Sequence, residues 1–134
     1  MPYKTCPSRA TAGSTTLLLV DDDDGWRSVG RAALAAHGFR VLEADNGMDA
    51  LLMAAGHEGF IHLLITDLGL TRIGGALLAE AFREIWPAVQ VLYTSESAEE
   101  VSRAGLPPDC TVLMKPFSSE ALMDAVDAVL AAAV

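Results

Sequence analysis

Two cysteines in 134 residues, at positions 6 and 110 and without Cys-x-x-Cys spacing, leave no material for a disulfide framework or a thiolate zinc site. They read as spare thiols. Positive charge is also scarce: nine Lys and Arg stand against eighteen Asp and Glu, a net charge of −9. Phosphate backbones and anionic membranes repel such a chain, so neither a nucleic acid nor a membrane is expected as partner. Divalent cations and basic protein surfaces remain open to it. No apolar run approaches the roughly 20 residues of a membrane span. The first 14 residues carry Lys4 and Arg9 but no apolar stretch of the secretory kind, so they read as a flexible tail and the chain is expected in the cytoplasm. The phosphate loop Gly-x-x-x-x-Gly-Lys-Ser/Thr is missing too, which removes the obvious route to a bound nucleotide.

What is present is a core. At 51% hydrophobic and 20% charged residues the chain has ample apolar surface for one domain, expected over residues 15–134. Short apolar runs alternate with longer Ala/Leu-rich stretches of helical period, the pattern of βαβ units around a parallel sheet. Strands are expected at 16–20, 39–43, 60–66, 89–94 and 111–114. Between and after them, helices are expected at 25–37, 48–55, 76–86, 98–104 and 118–132. Asp24 is the candidate cap of the first helix and Ser118 of the last, while Gly38, Gly56 and Pro87 act as stops.

In an open parallel sheet, ligands bind along the edge where the strands' carboxyl ends converge. The first strand is followed by Asp21, Asp22, Asp23 and Asp24, the third by Asp67, the fourth by Thr94 and Ser95, and the fifth by Lys115 and Pro116. Asp23 and Asp24 are explained by a solvated helix start. Asp21 and Asp22 abut a buried strand, so at least one of them must enter the crevice. Pro116 restricts Lys115 to extended backbone and aims its ammonium along the strand toward the same edge. Three carboxylates against one ammonium leave about −2 in one crevice, where like charges 4 Å apart repel by roughly 4 kcal/mol at an effective dielectric near 20. A hard divalent cation with oxygen ligands relieves this, and Mg²⁺ suits few carboxylates plus waters. Mg²⁺, an ammonium and a hydroxyl together make a phosphoryl-binding arrangement in which Asp67 can act as nucleophile and form an acyl phosphate.

The segments Leu18-Leu19-Val20-Asp21-Asp22, Leu64-Ile65-Thr66-Asp67, Val91-Leu92-Tyr93-Thr94-Ser95 and Lys115-Pro116-Phe117, in this order, resemble the receiver domain of two-component response regulators over about residues 15–132. The resemblance implies a doubly wound, flavodoxin-like α/β fold with strand order 2-1-3-4-5. It implies that Asp67 is phosphorylated, that Asp21 and Asp22 bind metal together with Asp67 and the Gly69 carbonyl, and that Lys115 contacts the phosphoryl group. Ser95 matches the switch hydroxyl best, with Thr94 the alternative one residue earlier. Several positions depart from the family pattern. Thr71 and Gly74-Gly75 replace the usual Pro and Asp-Gly, which implies a looser turn. Glu96 stands where a small residue follows the switch hydroxyl, and Val112 stands where an aromatic usually reports the switch.

The resemblance implies a stand-alone receiver that catalyses only its own phosphorylation and dephosphorylation. Its phosphoryl donor would be a sensor histidine kinase or phosphotransfer protein, and its readout a downstream protein target. It would be a monomer or weak homodimer. Glu96 and Val112 favour a rival reading, a docking or dimerisation module that works without phosphorylation. A Mg²⁺-dependent phosphohydrolase is weaker, since Gly69 occupies the place of the second aspartate such an enzyme needs.

Overall fold

A computed structural model describes residues 15–132; the tail expected over residues 1–14, with Cys6, lies outside them. Five strands, β1 (Thr16–Val20), β2 (Arg40–Ala44), β3 (Leu63–Asp67), β4 (Gln90–Ser95) and β5 (Thr111–Met114), form one sheet. All neighbouring strands are parallel and the order is β2-β1-β3-β4-β5. The connections are α1 (Asp24–Ala36), α2 (Gly47–Gly56), α3 (Gly75–Ile85) and α4 (Ala98–Arg103), with α5 (Ser119–Ala132) closing the chain. Among the described residues no helix is long and apolar enough to cross a membrane.

The unbroken apolar run of β1 follows from burial on both faces, because successive side chains point to opposite sides of a strand. Leu17 and Leu19 enter one layer with Leu34 of α1 and Leu122 and Val126 of α5. Leu18 and Val20 enter the other layer with Ala50 of α2 and Leu78 and Phe82 of α3. Strands β3 and β4 divide in the same way, Ile65 and Leu92 to the first layer, Leu64 and Tyr93 to the second.

Several element ends differ from the sequence-based expectation. The cap of α1 is Asp23, not Asp24: its carboxylate accepts the N–H groups of Gly25 at 2.8 Å and Trp26 at 3.1 Å. Asp24, already helical, pairs with Arg27 at 2.6 Å. Strand β3 begins at Leu63 rather than residue 60 and includes Asp67, while β4 continues through Ser95. At the α1 terminus Gly38 has φ 100°, a left-handed backbone that glycine enters without steric cost. The sheet order reverses between β1 and β3, so the crevice beyond their carboxyl ends lies at the topological switch point.

Candidate functional site

The sheet ladder runs one residue past the strands and fixes the backbone of the crevice. The Asp21 N–H donates to the Ala44 carbonyl at 3.2 Å, Leu68 N–H to Thr94 O at 2.9 Å, and Lys115 N–H to Ser95 O at 2.8 Å. From these anchored positions Lys115 Nζ lies 2.9 Å from Asp21 Oδ2 and 3.2 Å from Asp67 Oδ1. The Thr94 hydroxyl also donates to Asp67 Oδ1, at 3.2 Å, and the Gly69 N–H donates to Asp67 Oδ2 at 3.2 Å. Asp21, Asp67 and Thr94 are buried, whereas Asp22 sits at the open mouth. Carboxylate oxygens of Asp21, Asp22 and Asp67 lie within 4.8 Å of one another, an all-oxygen cluster that could hold a metal ion.

Burial pushes the Asp67 carboxyl above its ordinary pKa; the Lys115 charge pulls it back, and Asp21 pushes it further up. For Lys115 burial acts downward, but the hydrogen bond and negative charge of Asp21, together with Asp67, outweigh it and hold the ammonium above its ordinary value. The ammonium is thus charged at neutral pH and shared between two acids. It also lies 5.4 Å from the centre of the Trp26 ring, which in turn packs against Phe117 with centroids 4.8 Å apart.

The same arrangement is reflected in comparisons with known proteins. The model of the response regulator receiver domain family matches residues 17–127. The chain belongs to this family. It is 32% identical over 121 residues to the sensor kinase CckA of Brucella abortus, a match covering 89% of this chain and 13% of that protein. It is 30% identical to the response regulator receiver protein CpdR of the same organism, covering 87% of this chain and 98% of that one. The chain thus spans only about an eighth of the first relative and nearly all of the second. Among solved structures, a response regulator receiver protein from Sinorhizobium medicae superposes with a TM-score of 0.78 at 31% identity, covering 90% of this chain and 98% of the other. Receivers are the phosphoacceptor domains of two-component signalling.

In this receiver the structure brings Asp21, Asp22, Asp67, Gly69, Thr94 and Lys115 together at one rim. It does not bring the Ser95 hydroxyl there. The preference for Ser95 over Thr94 is corrected by strand register: Asp67 pairs with Thr94 across the β3–β4 ladder. Paired residues of parallel strands share a face and the next residue turns to the other. The Ser95 hydroxyl instead donates to Glu100 Oε1 at 2.5 Å and to Ser97 O at 3.0 Å. With Thr94 facing Asp67, the residue that follows is Ser95, small as the family pattern asks. Glu96 is exposed, and the objection raised by its carboxylate falls away. At the Gly74-Gly75 turn the backbone packs closely on the glycine at 75. A Cβ on Gly75 would lie 2.2 Å from the Asp67 carbonyl oxygen, so glycine is what lets α3 start directly against the end of β3.

Three residues around the pocket were not singled out from the sequence as parts of the site. Arg27 donates to the Asp21 carbonyl at 2.6 Å and reaches Glu43 at 3.4 Å, tying the acidic loop to β2. Trp26, half-buried, covers Lys115. Glu100, on α4, is the third. A spacing signal existed for the first two, which follow the acidic run by one helical turn; for Glu100 there was none.

Proposed function

We propose that this receiver accepts a phosphoryl group on Asp67 from a phosphohistidine of a sensor histidine kinase or phosphotransfer protein, and that the modified pocket alters a surface read by a downstream protein. The observation that carries the reading is the convergence of Lys115 and Thr94 on one oxygen of Asp67. An Asp67 oxygen attacks phosphorus; the new P–O bond forms as the P–N bond breaks, and the imidazole nitrogen departs with its electron pair. Asp21, Asp22, Asp67 and the Gly69 carbonyl would hold Mg²⁺, which when bound supplies positive charge against the phosphoryl oxygens. Lys115, already charged and flexible-stemmed, transfers its hydrogen bond from Asp67 to a phosphoryl oxygen. Thr94 does the same with its hydroxyl. Both donors are in place before the reaction, so little reorganisation is needed as charge develops.

Incubation with acetyl phosphate and Mg²⁺, followed by intact-mass measurement, tests this. A single phosphoryl increment is expected on the wild type and none on Asp67→Asn; no increment, or one that persists in Asp67→Asn, removes the proposal. Thr94→Ala is expected to bind beryllofluoride more weakly than Ser95→Ala, because only the former loses a donor to the occupied pocket.

A further inference from the structure

The pocket has a fourth carboxylate that strand ends do not supply. Glu100, half-buried on α4, sends Oε1 to the Ser95 hydroxyl at 2.5 Å and to the Glu96 N–H at 3.3 Å. Its other oxygen leans over Gly69: a Cβ there would lie 2.8 Å from Glu100 Oε2 and 3.2 Å from Asp67 Oδ2. The two acids converge on one spot above the backbone of Gly69. Among the described residues no cation pairs with Glu100, since Arg103, a turn further along α4, pairs with Glu99 at 3.5 Å.

We propose that Glu100 is a positioning residue of the phosphorylation site, which opposes occupancy of the pocket by like charge and, when displaced by the phosphoryl group, releases the start of α4. The inference rests on the receiver reading above. Phosphorylation adds about −1.5 to −2 of charge at Asp67. Lys115 lies toward α1, under the Trp26 ring, and is engaged by Asp21 and Asp67, so among the described residues no side-chain cation stands beside Glu100 to absorb the charge that Mg²⁺ leaves uncompensated. The carboxylate must swing away from Gly69, and in doing so it leaves the Ser95 hydroxyl and the Glu96 N–H. Helix α4 has six residues, none of them buried, and its first turn is otherwise held by the Ser97 hydroxyl accepting the Glu100 N–H at 3.1 Å. Beyond that, the helix rests on the core through the partly buried Val101 and Ala104. The device also suits a chain in which Val112 stands where an aromatic would otherwise report the switch.

The test uses the whole chain with Mg²⁺ and beryllofluoride as the phosphoryl stand-in, reading affinity by titration and α4 by amide hydrogen exchange. In the wild type, beryllofluoride is expected to speed exchange across residues 97–104. Glu100→Gln keeps an oxygen that accepts from Ser95 and Glu96 but loses the charge. It is expected to bind beryllofluoride about tenfold tighter, the order for removing one like charge at this separation, with exchange in α4 no longer responding. Ser95→Ala, which frees the carboxylate without neutralising it, should show fast α4 exchange before and after the addition. Beryllofluoride binding with a silent α4 in the wild type, or a Glu100→Gln variant matching the wild type in both readouts, overturns the role of Glu100 alone. Failure of beryllofluoride to bind the wild type overturns the receiver reading and this inference with it.

Discussion

The two helices that flank the Lys115 and Thr94 sides of the pocket differ sharply in how they are held. Helix α5 spans 14 residues and buries Leu122, Val126, Val129 and Leu130, packing on β4, β5 and α1. Helix α4 spans six and buries none. The first stands beside Lys115, whose ammonium is already engaged by two acids; the second carries Glu100, an acid that pairs with no cation among the described residues. A new charge in the pocket therefore meets a rigid, compensated wall on one side and a lightly held, repelling one on the other. Where the fold spends little apolar burial is where it can respond, since local opening is favoured by few buried contacts.

Denaturation experiments can break this comparison. The largest effect is expected for Leu122→Ala on α5, about 3 kcal/mol of lost stability in urea unfolding, against no more than about 1 kcal/mol for Val101→Ala on α4. Equal losses would show α4 to be as integral as α5. Next in size is the charge between the two walls. Because burial raises the Asp67 carboxyl, the folded state binds its proton more readily than the unfolded state, and stability falls as pH rises through the folded pKa. Asp67→Asn should thus be more stable than the wild type at neutral pH without divalent cation, a gain that shrinks toward acid, when melting is followed from pH 7 downward. Smallest is a matched pair of caps. The Ser118 hydroxyl accepts the Ala121 N–H on α5 at 3.0 Å and Ser97 holds α4. Ser118→Ala should lower global stability by about 1 kcal/mol, while Ser97→Ala leaves it nearly unchanged and only quickens exchange in α4.

Much of the site was legible because a buried strand leaves its following residue no freedom. Asp21, Asp67 and Lys115 each sit at the end of an apolar run, and the sheet carries all three to one rim. The choice between Thr94 and Ser95 was not legible from residue type, since both are hydroxyls at the end of the same run. It is decided by alternation across the strand, which only the β3–β4 register fixes. The cap of α1 failed for a related reason: four consecutive aspartates offer equivalent side chains, and the backbone selects Asp23 by leaving it extended, with φ −91° and ψ 113°. Glu100 was invisible because the phase of a six-residue helix relative to the sheet is set by the loops on either side, which carry no periodic signal. The fold class was the most legible feature, as two-sided burial makes β1 and β3 wholly apolar for most of their length.

Gly75 has no functional group, yet the rim depends on its bareness. With the Asp67 carbonyl oxygen 2.2 Å from where a Cβ would stand, any substitution must move either the nucleophile or the whole of α3. A saturation map scored on phosphate incorporation should therefore show an intolerant column at position 75 as deep as those of acids that touch the phosphoryl group, a silent position that chemistry alone would pass over.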